Sequence, residues 1–523
     1  MKIKEVLQRD PSNPLVNQGQ ARIADRTNEK VIQELKGELS SFVCEGQYAD
    51  GIQRIIESFL GNASQTSQKG AWVSGFFGSG KSHFLKMLAH LWQNTPIDGT
   101  TARALVPSMP SELATLLKEL DTAGKRGGGL LAAAGALPSG TTDSVRLTIL
   151  GVLLRAVGLP AQYAQAQFCL WLRDEGYYDR VKAAVEKTGK DFFAELNNLF
   201  VSKPIVQALL ACDSKFGRDE ADARKTIREQ FAQPTDIDTA QFLSTSKRAL
   251  SLVSRDGRMP LTALVLDEVQ QYIGSSQERS TQVSEVAEAV SKQLDSNVII
   301  IGAGQSALTD VPLLQRLMDR FTIRVSLSDA DVETVTRKVL LDKKPAAVNT
   351  VRDLLDTHSG EVSRQLQGTR IGESGEDRDL LPRDYPLLPV RRRFWEYCFR
   401  QVDAAGTQSQ LRSQLRIIHD AVANVADRQL GAVIPADDLY EALAPEMVNT
   451  GVLLREINER IIKLDDCTRE GKLARRICGL VFLIGKLDRS PGADIGVRAT
   501  KEHISDLLVD DLTADNGKLR GAV

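Results

Sequence analysis

The eight residues Gly75-Phe-Phe-Gly-Ser-Gly-Lys-Ser82 constrain this chain more than any other segment. They follow a short apolar run, AWVSG at 71–75. They lead into residues with helical apolar spacing, so the pattern predicts a strand, a tight loop and a helix from about Lys81 to Trp92. Glycines at 75, 78 and 80 let backbone N–H groups curl around phosphate oxygens, a path that Cβ atoms would obstruct. Lys81 is then placed to reach β- and γ-phosphates, and the Ser82 hydroxyl to ligate Mg²⁺. The start of the helix adds its positive dipole end to the same anion site. Ser79 and His83 are counted with the residues that hold the nucleotide, expected to be ATP; for His83, packing or capping is the alternative.

Four further β-like runs follow: GGGLLAAAG (127–135), LTALVLDE (261–268), SNVIIIGAG (296–304) and FTIRVSL (321–327). Continuous apolar runs of this kind suit strands covered on both faces, which predicts an α/β fold with a parallel sheet between helix layers. Thr142 or Asp143 is the expected cap of the helix after the second run. Residues 160–250 lack strand signal and read as a helical insertion. From Asp329 onward the pattern is mainly helical. The expected division is an arm with helices (1–70), the sheet domain (71–327), a helical lid (328–490) and the start of a winged-helix-like domain (491–523). The chain stops inside a helix that begins near Asn516, which is read as the truncation of a longer protein.

The apolar run ending at Leu266 delivers two carboxylates, Asp267 and Glu268. Asp267 is expected to help hold Mg²⁺, and Glu268 to orient or deprotonate the attacking water. A helix cap is the plainer role for such a pair, but the phosphate loop upstream favours the catalytic one. Gln305 follows the next strand, where a polar side chain senses the γ-phosphate or positions water; Ser306 as a simple helix cap is the competing reading. Arg316 and Arg320 precede the last strand. Arg320 is favoured as an arginine supplied to a neighbouring subunit's nucleotide, against a salt-bridged helix arginine. Arg412, in QLRSQLR, is expected to reach the nucleotide from the lid, with a charged helix face as its alternative.

Lys plus Arg (66) nearly balances Asp plus Glu (68), which excludes a wholesale polycation but not a local basic groove. The six cysteines contain no CxxC pair and the five histidines no metal-ligand spacing, so neither zinc nor a disulfide framework is indicated. No apolar run approaches the roughly 20 residues of a membrane span, and the first residues lack a signal peptide's apolar core, so a cytoplasmic protein is expected. Arg391, Arg392 and Arg393 read either as a phosphate contact or as a solvated turn.

A phosphate loop, an Asp-Glu strand end, a polar strand end, an arginine before the last strand and an arginine-bearing helical lid, in that order, resemble the AAA+ ATPases. The likeness is to the branch with a winged-helix domain behind the lid. More narrowly, VNQGQARIADRTNEKVIQELKGEL ahead of GFFGSGKSHFLKMLAHLW is similar to the BrxC family, the P-loop ATPases of BREX phage-defence systems. DVETVTRKVLLDKKP, QSQLRSQLRIIHDAV and RATKEHISDLLVDDLTADNGKLR resemble that family too. The resemblance implies a role in phage resistance, as a homo-oligomer acting with other BREX-type defence proteins on DNA.

Overall fold

The computed structural model describes residues 1–13, 28–63, 65–75, 80–138, 144–327, 329–402 and 414–523, with residues 329–332 and 414 described in backbone only. The chain divides into two compact units, Asn17–Ser328 and Met1–Val16 together with Asp329–Val523.

The first unit is built on five strands: β1 (Ala71–Gly75), β2 (Leu130–Ala136), β3 (Leu261–Asp267), β4 (Val298–Gly304) and β5 (Ile323–Leu327). They form one sheet in the order β2-β3-β4-β1-β5. Every pairing in it is parallel. The central strands β3, β4 and β1 are buried along their whole length, which is why their sequences run apolar without alternation. Edge strand β5 alternates instead, burying Ile323, Val325 and Leu327 and exposing Arg324 and Ser326.

Successive side chains leave a strand on opposite faces, and both faces are covered. Leu264, Leu266, Val298 and Ile300 share a core with Ile149, Leu153, Val286 and Val290, from helices Val145–Ala156 and Gln277–Gln293. The other residues of β3 and β4, among them Val265 and Ile301, are buried as well. Helices Gly46–Asn62 and Lys81–Trp92 cover the sheet too. A Cβ on Gly51 would meet Val325 at 2.7 Å, and the Trp92 indole donates to the Leu261 carbonyl at 3.1 Å.

Residues 160–250 form helices Tyr163–Asp174, Tyr178–Glu186, Phe192–Leu196, Lys203–Cys212, Glu220–Gln230 and Thr239–Ser251. Their centre is aromatic: Phe168 stacks on Trp171, and Phe231 packs edge-on against Phe168. The helix Val145–Ala156 is capped by Ser144, whose hydroxyl accepts from the Leu147 N–H at 3.4 Å. Thr142 and Asp143, the expected caps, lie outside the described residues.

The second unit is helical, and its composition differs from the expected boundaries at both ends. Residues 1–16 belong to it rather than with the helices that precede β1. Ile3, Val6 and Leu7 are buried in its core. The Ile3 and Lys4 N–H groups donate to the carbonyls of Arg428 (3.1 Å) and Ala426 (2.9 Å), and the Lys344 N–H donates to Val6 (3.0 Å). A polar-looking start, MKIKEVLQ, hides three apolar residues that pay for this docking.

At the other end, Ile495, Val497, Leu507, Leu508 and Leu512 share one apolar core with Phe394, Trp395 and Leu443. The Leu512 N–H donates to Gly431 (2.9 Å) and the Val433 N–H to Asp510 (3.0 Å). Residues of 491–523 therefore share the core of the helical unit.

The arginine run satisfies neither expectation. Arg391 is fully buried and donates to the Gln365 amide oxygen (3.1 Å) and the carbonyls of Ile434 (2.6 Å) and Asp506 (3.3 Å). Arg392 is paired with Asp384, Glu333 and Glu396, and Arg393 with Asp377. Arg391 and Arg392 are buried along helix Pro389–Val402 together with Phe394 and Trp395, and Arg393 is half-buried. No helix among the described residues is long and apolar enough to cross a membrane.

Candidate active site

In a parallel sheet the carboxyl ends of all strands lie along one edge, and ligands bind in the crevices beyond that edge. Register brings the expected chemical residues there. Ser74 is level with Gly304, and Leu266 with Gly302. One residue further along, Asp267 falls level with Ala303 and Gln305 with Gly75, and Glu268 follows directly after Asp267. Strand β4 lies between β1 and β3, so Gln305 emerges between the glycine loop and the carboxylate pair.

The loop's described end fits a phosphate cradle. Gly80 has φ +81°, a conformation that L side chains rarely adopt, and a Cβ there would collide with the Tyr48 hydroxyl. Glycine is therefore required twice over at this position. Lys81 and Ser82 open the helix Lys81–Trp92, and the Lys81 ammonium donates to the Gly75 carbonyl at 2.6 Å, spanning the base of the loop. Burial pushes its pKa down to about 8, against the attraction of Asp267. Gly78 and Ser79 lie outside the described residues.

Asp267 closes β3 and is buried at 4% exposure, and its Oδ1 accepts from the Glu268 N–H at 2.9 Å. Glu268 is held at φ 58°, ψ 26°. That left-handed geometry costs a non-glycine residue roughly 1–2 kcal/mol. It turns the chain sharply from the strand into helix Val269–Ile273, and leaves the carboxylate exposed at the crevice. Desolvation, and then the neighbouring Asp267, push the Glu268 pKa above the usual carboxylate value.

The donor set suits the expected metal. The Ser82 hydroxyl and the Asp267 carboxylate are hard oxygen ligands of the kind Mg²⁺ takes, and the half-buried Lys81 at the glycine turn supplies a cation of the kind that phosphate oxygens take. Among the described residues, no group of three or more His, Cys, Asp or Glu side chains forms a separate metal site.

The remaining candidates separate. Gln305 is half-buried at the end of β4. Ser306 caps no helix: its N–H donates to the Gln270 Oε1 at 2.9 Å, its hydroxyl accepts from the Gln270 Nε2 at 3.3 Å, and its carbonyl accepts from the Trp72 indole at 3.1 Å. Gln270 is a residue that sequence reading missed; its signal was its place two residues beyond Glu268.

Arg320 donates to Glu288 of the same chain at 2.5 Å, so the salt-bridged alternative describes it as it stands here. Arg316 is the more exposed of the two and donates to Thr281 at 3.0 Å. The His83 ring packs edge-on against Phe42, with centroids 5.6 Å apart, beside the ion pair of Glu38 and Lys86; burial lowers its pKa. Arg412 lies outside the described residues, and Arg416, one turn further on, is an exposed partner of Asp420 at 3.8 Å.

No known protein-family model matches the chain.

Proposed function

We propose that the sheet unit is an AAA+-type P-loop ATPase, binding Mg²⁺ and ATP at Gly75–Ser82 and hydrolysing the γ-phosphate. The observation that carries this reading is the juxtaposition at one sheet edge of Gly80, Lys81, Asp267 and Glu268, with Gln305 between loop and carboxylates.

The roles follow from the chemistry. The loop N–H groups and Lys81 bind the phosphates. Ser82 and Asp267 would hold the metal, which when bound neutralises charge developing on the phosphate oxygens. Glu268 accepts a proton from the attacking water, and its raised pKa moves it towards the range where a general base works at neutral pH. Gln305 hydrogen-bonds the γ-phosphate or the water. The finer assignments belong to the same proposal: a helical lid at 328–490, a winged-helix-like end, Arg412 as a lid contact, and membership of the BrxC family. So do the cytoplasmic setting, the homo-oligomer, the phage-resistance role with BREX partners, and the action on DNA.

ATP turnover per molecule, followed across a wide range of protein concentrations, tests it. Specific activity that climbs with concentration supports an assembling enzyme completed by Arg320 or Arg316 of a neighbour. A flat, brisk rate removes the neighbour's arginine from the account. A near-zero rate despite bound ATP favours the second reading, a nucleotide-gated scaffold or DNA-loading switch with little turnover. That reading draws on the pairing of Arg320 with its own chain's Glu288.

A further inference from the structure

Glu268 and Gln305 stand on different strands, and the catalytic reading requires them to address the same phosphate. What joins the two strand ends is the side chain of Gln270. It extends from the short helix Val269–Ile273, immediately after Glu268, and engages both the N–H and the hydroxyl of Ser306, immediately after Gln305. The other side of Ser306 is tied to β1, through its carbonyl and the buried Trp72 indole.

The residue before Gln305 is fixed as well. A Cβ on Gly304 would collide with the Trp72 ring at 2.5 Å and would lie 2.8 Å from the Gln270 amide oxygen. Gln305 thus has its backbone clamped on both sides. Gln270 lies two residues beyond the left-handed turn at Glu268, whose carbonyl accepts from the Tyr272 N–H at 2.9 Å, and such strained geometry persists only where surrounding contacts over-determine it.

We infer that Gln270 is a positioning residue: its amide locks the strand end carrying Glu268 to the strand end carrying Gln305, so that water activation and γ-phosphate sensing are set as one unit. The inference rests on the ATPase reading above and adds a device to it. Gln270 itself touches neither nucleotide nor metal in this account; it acts through Gln305 and Glu268.

The test compares the full chain with Gln270→Met, Gln305→Ala and the double variant. Methionine keeps length and bulk while removing both hydrogen bonds. Two quantities are read: kcat and KM for ATP, and the affinities for ADP and for a non-hydrolysable ATP analogue. Misplacement of reacting groups by an ångström costs up to about 10²-fold in rate. Gln270→Met is therefore expected to lower kcat by about 10- to 100-fold, to leave ADP affinity unchanged, and to reduce the preference for the triphosphate analogue over ADP.

Added to Gln305→Ala, the substitution should reduce that preference no further, because coupled residues are not additive. Ser306→Ala, which removes the longer of the two bonds and keeps the N–H contact, should have a smaller effect of the same kind. Unchanged kcat and unchanged triphosphate preference in Gln270→Met overturn the inference while leaving nucleotide binding intact. A loss fully additive with Gln305→Ala, or accompanied by an equal loss of ADP affinity, overturns it too, since general loosening would then be the cause. A wild-type chain that binds neither nucleotide overturns the ATPase reading itself, and the inference with it.

Discussion

Lys343 of the helical unit is buried and Lys81 of the sheet unit is half-buried, and the two are used in opposite ways. In the helical unit Lys343 donates to three backbone carbonyls, of Leu341, Arg383 and Tyr385, so its three N–H groups are matched by three acceptors. Burial pushes its pKa down to about 7. In the sheet unit partial burial has a comparable effect on Lys81, with its pKa near 8, but it sits at the open edge of the sheet on the Gly75 carbonyl, attracted by Asp267. The same contrast holds for arginines. Arg391 and Arg392 are sealed among internal acceptors, whereas Arg316 stands exposed between β4 and β5. Burial of a cation alone therefore says nothing about function. What separates the two units is whether the cation sits within a core or at a strand edge where a ligand can replace its contact.

Substitutions can break that contrast, and the largest effect belongs to Lys81. Lys81→Ala is expected to abolish measurable ATP binding, by at least about 10²-fold in Kd, since it removes the charged contact to the β- and γ-phosphates; calorimetric titration with ATP and Mg²⁺ reads it. In the other unit the cost should fall on folding. Arg392→Met strips Asp384, which is fully buried, of one of its two arginine partners and should lower stability by about 3–5 kcal/mol. Lys343→Met removes the donor that Leu341, Arg383 and Tyr385 share and should cost about 2–4 kcal/mol. Chemical denaturation measures both, and in neither should the nucleotide affinity of the still-folded protein change. A loss of affinity without a loss of stability would erase the distinction between the two kinds of cation.

The pH dependence sharpens the comparison with a smaller effect. Lys81 titrates near 8 in the nucleotide-free chain, so ATP affinity should fall as pH rises through about 8, and binding above that point should take up a proton. At the acid end the raised pKa of Glu268 should make turnover fall at a higher pH than an ordinary carboxylate, near 4.3, would set. Affinity that is flat up to about pH 9.5 would mean that Lys81 does not face the phosphates, because an ammonium in that contact must be protonated to serve.

The sheet unit was largely legible because its signals are local. A strand, a glycine turn and a helix follow one another within Ala71–Trp92, and LTALVLDE carries both its burial and its carboxylates in eight consecutive residues. The parallel pairing that aligns Gly75, Asp267 and Gln305 follows from those apolar runs. What was not legible depends on contacts between distant positions. Nothing near Arg391 announces Ile434 and Asp506 as its acceptors, and nothing in MKIKEVLQ announces Arg428 and Ala426. Gln270 and Ser306 are 36 residues apart, so their bond too was invisible until the strands were placed. Arg320 was legible as an arginine near the last strand, but its partner Glu288 lies on a different helix.

The most direct test of the central claim is single-turnover hydrolysis of ATP with Mg²⁺ by the wild-type chain and by Glu268→Gln, with bound nucleotide quantified in the same samples. Glu268→Gln is expected to retain ATP with near-wild-type affinity while hydrolysis falls by about 10²-fold or more, as removal of a general base does. Hydrolysis by Glu268→Gln at the wild-type rate would contradict the claim.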